Sequence, residues 1–156
     1  MTQPTQKKYQ AYAAATQTVA KTRQIVMLYD GVIRLLQQAK DAIRGKRIEE
    51  RYHLLIKATD IINGLQACLD FENGGDIAPI LHGFYSSIDS RIFSIHRTNS
   101  LETCDDVIAD LKQMRDAWHE IDKNSSASAP VENSPMPADP STTPPANGTD
   151  NVALSA

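Results

Sequence analysis

The chain has no apolar run approaching the ~20 residues that span a bilayer, no cluster of Lys and Arg, no strand-like alternation and only two cysteines among its 156 residues. Each absence removes a class of protein. Without a long apolar run no membrane insertion is expected. All 16 Lys and Arg precede residue 124 and are balanced there by 16 Asp and Glu. A neutral body of that kind is a poor ligand for nucleic acid or an anionic membrane, both of which reward concentrated positive charge. The opening MTQPTQKKYQ has no apolar stretch after its charges, so a secretory signal is not expected and a cytoplasmic location is. In that reducing setting Cys68 and Cys104, each within a helical apolar pattern, read as small buried thiols rather than a disulfide.

The chemistry of enzymes is equally sparse. Glu50 and His53 form one Glu-x-x-His pair, the unit with which helical bundles hold iron or manganese. Such a site needs two copies and two further inward glutamates, and at ~100° per residue this pair points away from the apolar stripe of its helix. His82, His96 and His119 have no partners at zinc-ligand spacing. No nucleophile elbow or phosphate loop occurs, and the two glycines of ENGGDI read as a helix-breaking turn. Neither a metal, a cofactor nor catalysis is expected.

What the sequence does contain is helical periodicity, in four segments. Residues 22–44 carry Ile25, Tyr29, Val32, Leu36, Ala39 and Ile43 at alternating threes and fours, with Gly45 as the residue that ends the helix. Residues 48–71 carry Tyr52, Leu55, Ala58, Ile62, Leu65 and Leu69. A third helix is capped by Asp76 with Pro79 in its first turn, and its face is Ile77, Leu81, Phe84, Ile88, Ile92 and Ile95. Asn99-Ser-Leu-Glu102 has the form of a capping box for a fourth, with Leu101, Cys104, Ile108, Leu111, Trp118 and Ile121 as its stripe.

Short connections between long helices imply antiparallel neighbours. The fold class is therefore all-α, an antiparallel up-down four-helix bundle. Residues 1–21, rich in Ala and Gln, add a short N-terminal helical segment that docks weakly as a cap; residues 22–122 form the bundle. Six of the eight prolines fall between Pro130 and Pro145, so residues 123–156 read as a disordered Pro/Ser/Thr-rich tail.

Two helices carry more apolar surface than one stripe. Val26 and Ile33 lie beyond the edge of the first stripe, one heptad apart, and Ile56 lies on the border of the second. Either a wide core covers them with neighbouring helices, or they line an exposed groove for another amphipathic helix.

The segments YQAY, IVMLYDGVIRLLQQAKDAI, LLIKATDIINGLQACLDFENGGDIA and VIADLKQMRDAWHEI together resemble the flagellin-specific secretion chaperones called FliS. The resemblance implies an export chaperone that binds the C-terminal segment of flagellin in apolar grooves. It prevents premature polymerisation in the cytosol and aids delivery to the export apparatus; export-gate and flagellar regulatory proteins are further partners. An adaptor for other flagellar secretion proteins is the alternative.

By position, Tyr9 and Tyr12 match the family's N-terminal tyrosine segment, which covers part of the groove until the client arrives. Met27 to Gly31 match its hallmark. There Leu28 and Tyr29 are expected mainly in the core, Tyr29 and Asp30 join the client-binding set, and Gly31 permits close helix approach. Val26, Ile33 and Ile56 complete that set from their off-stripe positions. One departure is local: where the family often has Thr-Ala-Ser-Pro, this chain has Thr18-Val19-Ala20-Lys21, without the Ser cap or the N1 proline.

Overall fold

The computed structural model describes residues 4–127, and for residues 4–6, 8, 9 and 11–20 it describes the backbone alone. Four helices follow one another: α1 (Pro4–Arg44), α2 (Ile48–Ala67), α3 (Ile77–Thr98) and α4 (Leu101–Ala127). Each packs on the next, and α4 returns to pack along α1, closing an antiparallel four-helix bundle.

Three ion pairs fix the register of α1 against α4: Arg23 with Asp122, Asp30 with Arg115, and Lys40 with Asp105. Seven residues forward on α1 are seven back on α4, and the next ten are again ten, which is the signature of straight antiparallel neighbours. At that register Ala127 stands level with residue 18. Residues 4–17 therefore run past the end of α4 by about 20 Å at 1.5 Å per residue.

The N-terminal segment is helical as expected, but it continues α1 without a break. The local reason is the Thr18-Val19-Ala20-Lys21 junction, which holds neither a proline nor a Ser/Asp cap to stop the helix.

The core is built from one buried row on each helix: Tyr29, Val32, Leu36 and Ala39 on α1, Leu55, Ala58 and Ile62 on α2, Ile88, Ile92 and Ile95 on α3, and Cys104, Val107 and Leu111 on α4. Tyr29 and Tyr85 reach across the diagonal between α1 and α3, whose backbones do not touch, and their hydroxyls meet at 2.8 Å. Only a side chain of that length spans a bundle diagonal, and its polar end needs a partner once buried.

Several local expectations change. The left-handed residue after α1 is Lys46 at φ 55°, not Gly45. Arg47 N–H bonds to Ala42 C=O at 2.8 Å and Lys46 N–H to Ile43 C=O at 3.1 Å, a Schellman closure with Gly45 one residue earlier than expected. Asp76 precedes α3 but makes no side-chain cap bond. Asn99 ends α3 in the left-handed region, and Ser100 alone caps α4, accepting from Thr103 N–H at 3.1 Å. Cys104 is buried, which pushes its thiol up to about 11, but Cys68 is exposed at the end of α2. Ile121 is exposed as well, and Asp122 takes the buried position in that turn, facing Arg23.

Candidate functional site: an apolar groove at one end of the bundle

The two ends of the bundle are closed by connections of different length. At one end three residues join α1 to α2 and two join α3 to α4; at the other, residues 68–76 join α2 to α3. That longer connection is an ordered turn. The Asp70 carboxylate accepts from the backbone N–H of Glu72 and Asn73 at 3.0 and 2.9 Å, and from the Asn73 amide at 2.8 Å. Those bonds hold its pKa below the ordinary 3.8. Gly74 N–H closes on Asp70 C=O at 2.9 Å, and a Cβ at Gly74 would come within 2.3 Å of that oxygen, so only glycine fits. Gly75 follows at φ +50°.

Beneath this turn lies a groove of about 580 Å³. Ile25 and Leu28 of α1, Leu65, Cys68 and Leu69 of α2, Ile77, Leu81 and Tyr85 of α3, and Trp118 of α4 line it, with Lys21 and Gln24 at its lip. Most of its apolar side chains are half-buried and pack against the core from above, so the groove is the core's own upper layer left uncovered. Its floor is polar at one point. Tyr85 hydrogen-bonds the Tyr29 hydroxyl, and burial pushes both tyrosines above their ordinary pKa of 10. Beside it, Arg115 joins Asp30 at 3.0 Å and Asp116 at 2.7 Å, and those two bonds raise the pKa of the guanidinium.

A second apolar surface occupies the outer seam of α2 and α3. Tyr52, Ile56 and Phe93 line a trough of about 680 Å³ with Arg51, Thr59, Asp89, Ser90 and His96. Tyr52 stacks edge-on against His96, and the two surfaces share no residue.

The residues expected to touch a client are dispersed by this geometry. Tyr29 is fully buried and Ile33 is 6% exposed, so neither presents a surface; α1 is covered on two sides, by α2 and α4, and its buried arc is wider than one stripe. Val26 is half-buried and lines neither surface. Asp30 is half-buried and spent on Arg115 rather than on a groove edge. Ile56, 38% exposed, does line a surface, the outer α2–α3 trough.

Gly31, expected to permit close helix approach, faces Ile61 of α2, but a Cβ there would meet Ile61 Cδ1 at an ordinary 3.6 Å, so alanine would fit and the approach does not require glycine. The side chains of Tyr9 and Tyr12 lie outside the described residues. Their backbone continues α1. Glu50 and His53 are both exposed. The groove residues Ile25, Leu28, Leu69, Ile77, Leu81 and Trp118 all read as core from periodicity. The one signal separating some of them is their place beside the motifs: Leu69, Ile77 and Leu81 flank ENGG, and Trp118 lies in RDAW.

Among the described residues no helix is long and apolar enough to cross a membrane. A family model described as "Flagellar protein FliS" matches residues 1–125. A protein of Campylobacter jejuni named "Flagellar secretion chaperone FliS" is 31% identical over 117 residues, covering 74% of this chain and 91% of its own length. A protein of Vibrio cholerae with the same name is 36% identical over 97 residues, 62% of this chain and 71% of its own. A crystal structure titled "Crystal structure of flagellar chaperone from bacteria" superposes with a TM-score of 0.63 at 18% identity, covering 67% of this chain and 85% of that one, a likeness of fold.

Proposed function

The chain belongs to the FliS family of flagellar secretion chaperones, and from that membership we propose that it binds the C-terminal segment of flagellin in the cytosol. Binding keeps the client unpolymerised and aids its delivery to the flagellar export apparatus. The observation that carries this reading is the open groove under the 68–76 turn. Its volume of about 580 Å³ and apolar lining can take side chains from an amphipathic segment, and each Leu- or Ile-sized side chain contributes roughly 1.5–3 kcal/mol when fully buried. A few such anchors offset the roughly 2–5 kcal/mol needed to order a disordered client.

Calorimetric titration with a peptide from the C-terminal end of the cognate flagellin tests the reading. Saturable heat at one peptide per chain is expected; none at tens of micromolar sinks it. The Tyr9/Tyr12 segment covers such a groove only if the helix breaks near residues 18–21, since it now continues α1.

A second reading has its own observation. The α2–α3 trough is separate from the groove and keeps Phe93 and Tyr52 exposed, which suits an adaptor that holds another flagellar protein while the client sits at the bundle end. Pull-down from cells lacking flagellin distinguishes the two, because stoichiometric recovery of a different protein supports the adaptor.

A further inference from the structure

The bundle ends where its groove opens. Trp118 lines the groove, and α4 runs on from it for nine residues to Ala127, about 14 Å at helical rise. Twenty-nine residues of chain follow that point. They begin at the groove's own end of the molecule and lie outside the 1–125 match to the family.

Their chemistry suits the groove. Residues 130–140 read PVENSPMPADP, with apolar side chains only at Val131, Met136 and the small Ala138 besides the prolines. Four prolines in eleven residues favour an extended polyproline helix, which loses little entropy on docking. Met136, between Pro135 and Pro137, is a flexible side chain that adapts to an irregular apolar cleft. Nine extended residues from Ala127 reach up to about 30 Å, twice the return distance to Trp118.

Charge agrees. The tail from residue 128 holds Glu132, Asp139 and Asp150 and no Lys or Arg, while the chain before Asp30 holds no acid and the cations Lys7, Lys8 and Lys21 besides Arg23, which pairs with Asp122. Lys21 stands at the groove lip. Asp70, which lines the groove, is engaged by its own turn.

We propose that residues 130–140 of this chain fold back over the groove, seating Met136 against the cleft formed by Leu81 and Trp118, with the two acids toward the basic start of α1. A segment tethered this closely acts at an effective concentration of order millimolar, enough to hold the groove although a free peptide would bind weakly. A client must displace it, which rests on the function proposed above; the fold-back itself does not.

The exposed Cys68 in the groove wall supplies the test, because Cys104 is buried with its thiol pushed up to about 11 and does not compete. The full-length chain carrying Met136→Cys is oxidised mildly, beside a control carrying Asn147→Cys farther along the same tail. Fold-back predicts an intramolecular disulfide to Cys68 forming roughly fivefold or more faster from position 136, the difference between a docked and a merely tethered thiol. Equal rates, or disulfide-linked dimers as the main product, overturn it. Flagellin C-terminal peptide is then expected to slow the trapping. If position 136 is trapped fast and calorimetry shows no peptide binding, the tail docks and the client assignment falls.

Discussion

The closed and open ends of the bundle are both built of apolar residues and behave differently. At the closed end the Schellman turn at Ala42–Arg47, the left-handed Asn99 and the Arg51 to Asn99 bond draw all four helices together over Ala39, Ala42, Ile95 and Cys104, which are fully buried. At the open end Leu28, Leu69, Leu81 and Trp118 are as apolar as their counterparts, yet they stay half-exposed. What differs is the length of the connection above them and the size of the residues beneath. A three-residue link over alanines leaves a small depression of about 220 Å³, whereas a nine-residue turn over large side chains leaves a groove of about 580 Å³. Burial here is set by the connections, and the open groove is core that was not closed.

The contrast can be broken by substitution. Ile33→Asp puts a charge into the packed middle of α1, and a loss of about 4 kcal/mol or more in urea unfolding is expected, with no folded state in which a client contact is removed selectively. Ile95→Ala at the closed end should cost about 2–5 kcal/mol of stability through the cavity it leaves, while peptide affinity of the folded fraction stays unchanged. Leu81→Asp at the open end should do the reverse. Affinity for the flagellin peptide falls roughly tenfold or more, as for a groove anchor, while the stability cost at this only partly buried position stays below that of Ile95→Ala. If the two substitutions act alike on stability and affinity, the ends do not differ as described.

Gly74→Ala sharpens the role of the turn: its Cβ collides with Asp70 C=O, so a cost of about 1–3 kcal/mol is expected together with weaker peptide binding. The smallest effect concerns pH at the α2–α3 seam. Burial, then the Arg51 guanidinium, hold His96 below its ordinary 6.5, so the unfolded chain takes up that proton first as pH falls. Stability should therefore decline as pH drops through 6.5, and His96→Gln should lessen the difference in urea midpoint between pH 7.5 and 5.5.

The sequence makes the bundle plain because four apolar stripes at period 3.6 leave few other folds. It also carries the family motifs, whose Tyr29 turns out to be a diagonal core tie to Tyr85 and whose ENGG is a glycine-dependent turn. The candidate surface is far less legible. Periodicity marks which side of a helix is apolar but not which turn of that side the neighbours reach. Leu28 and Ile33 illustrate this: the first lies on the stripe and is half-exposed, the second lies off it and is buried, because coverage depends on how α2 and α4 flank α1 at each level. The helix start was hidden for a similar reason. Nothing in Thr18–Lys21 stops a helix, and a segment of Ala and Gln carries no apolar stripe to mark where it begins.

Trp118, the chain's single tryptophan, stands in the groove wall and reports on it directly. Titrating the full chain with a flagellin C-terminal peptide while following Trp118 emission is the most direct test of the open-end groove as the client site. A saturable shift of emission, with the midpoint of the calorimetric titration, is the predicted result. Calorimetric binding with the emission of Trp118 unmoved would place the client elsewhere and contradict the account.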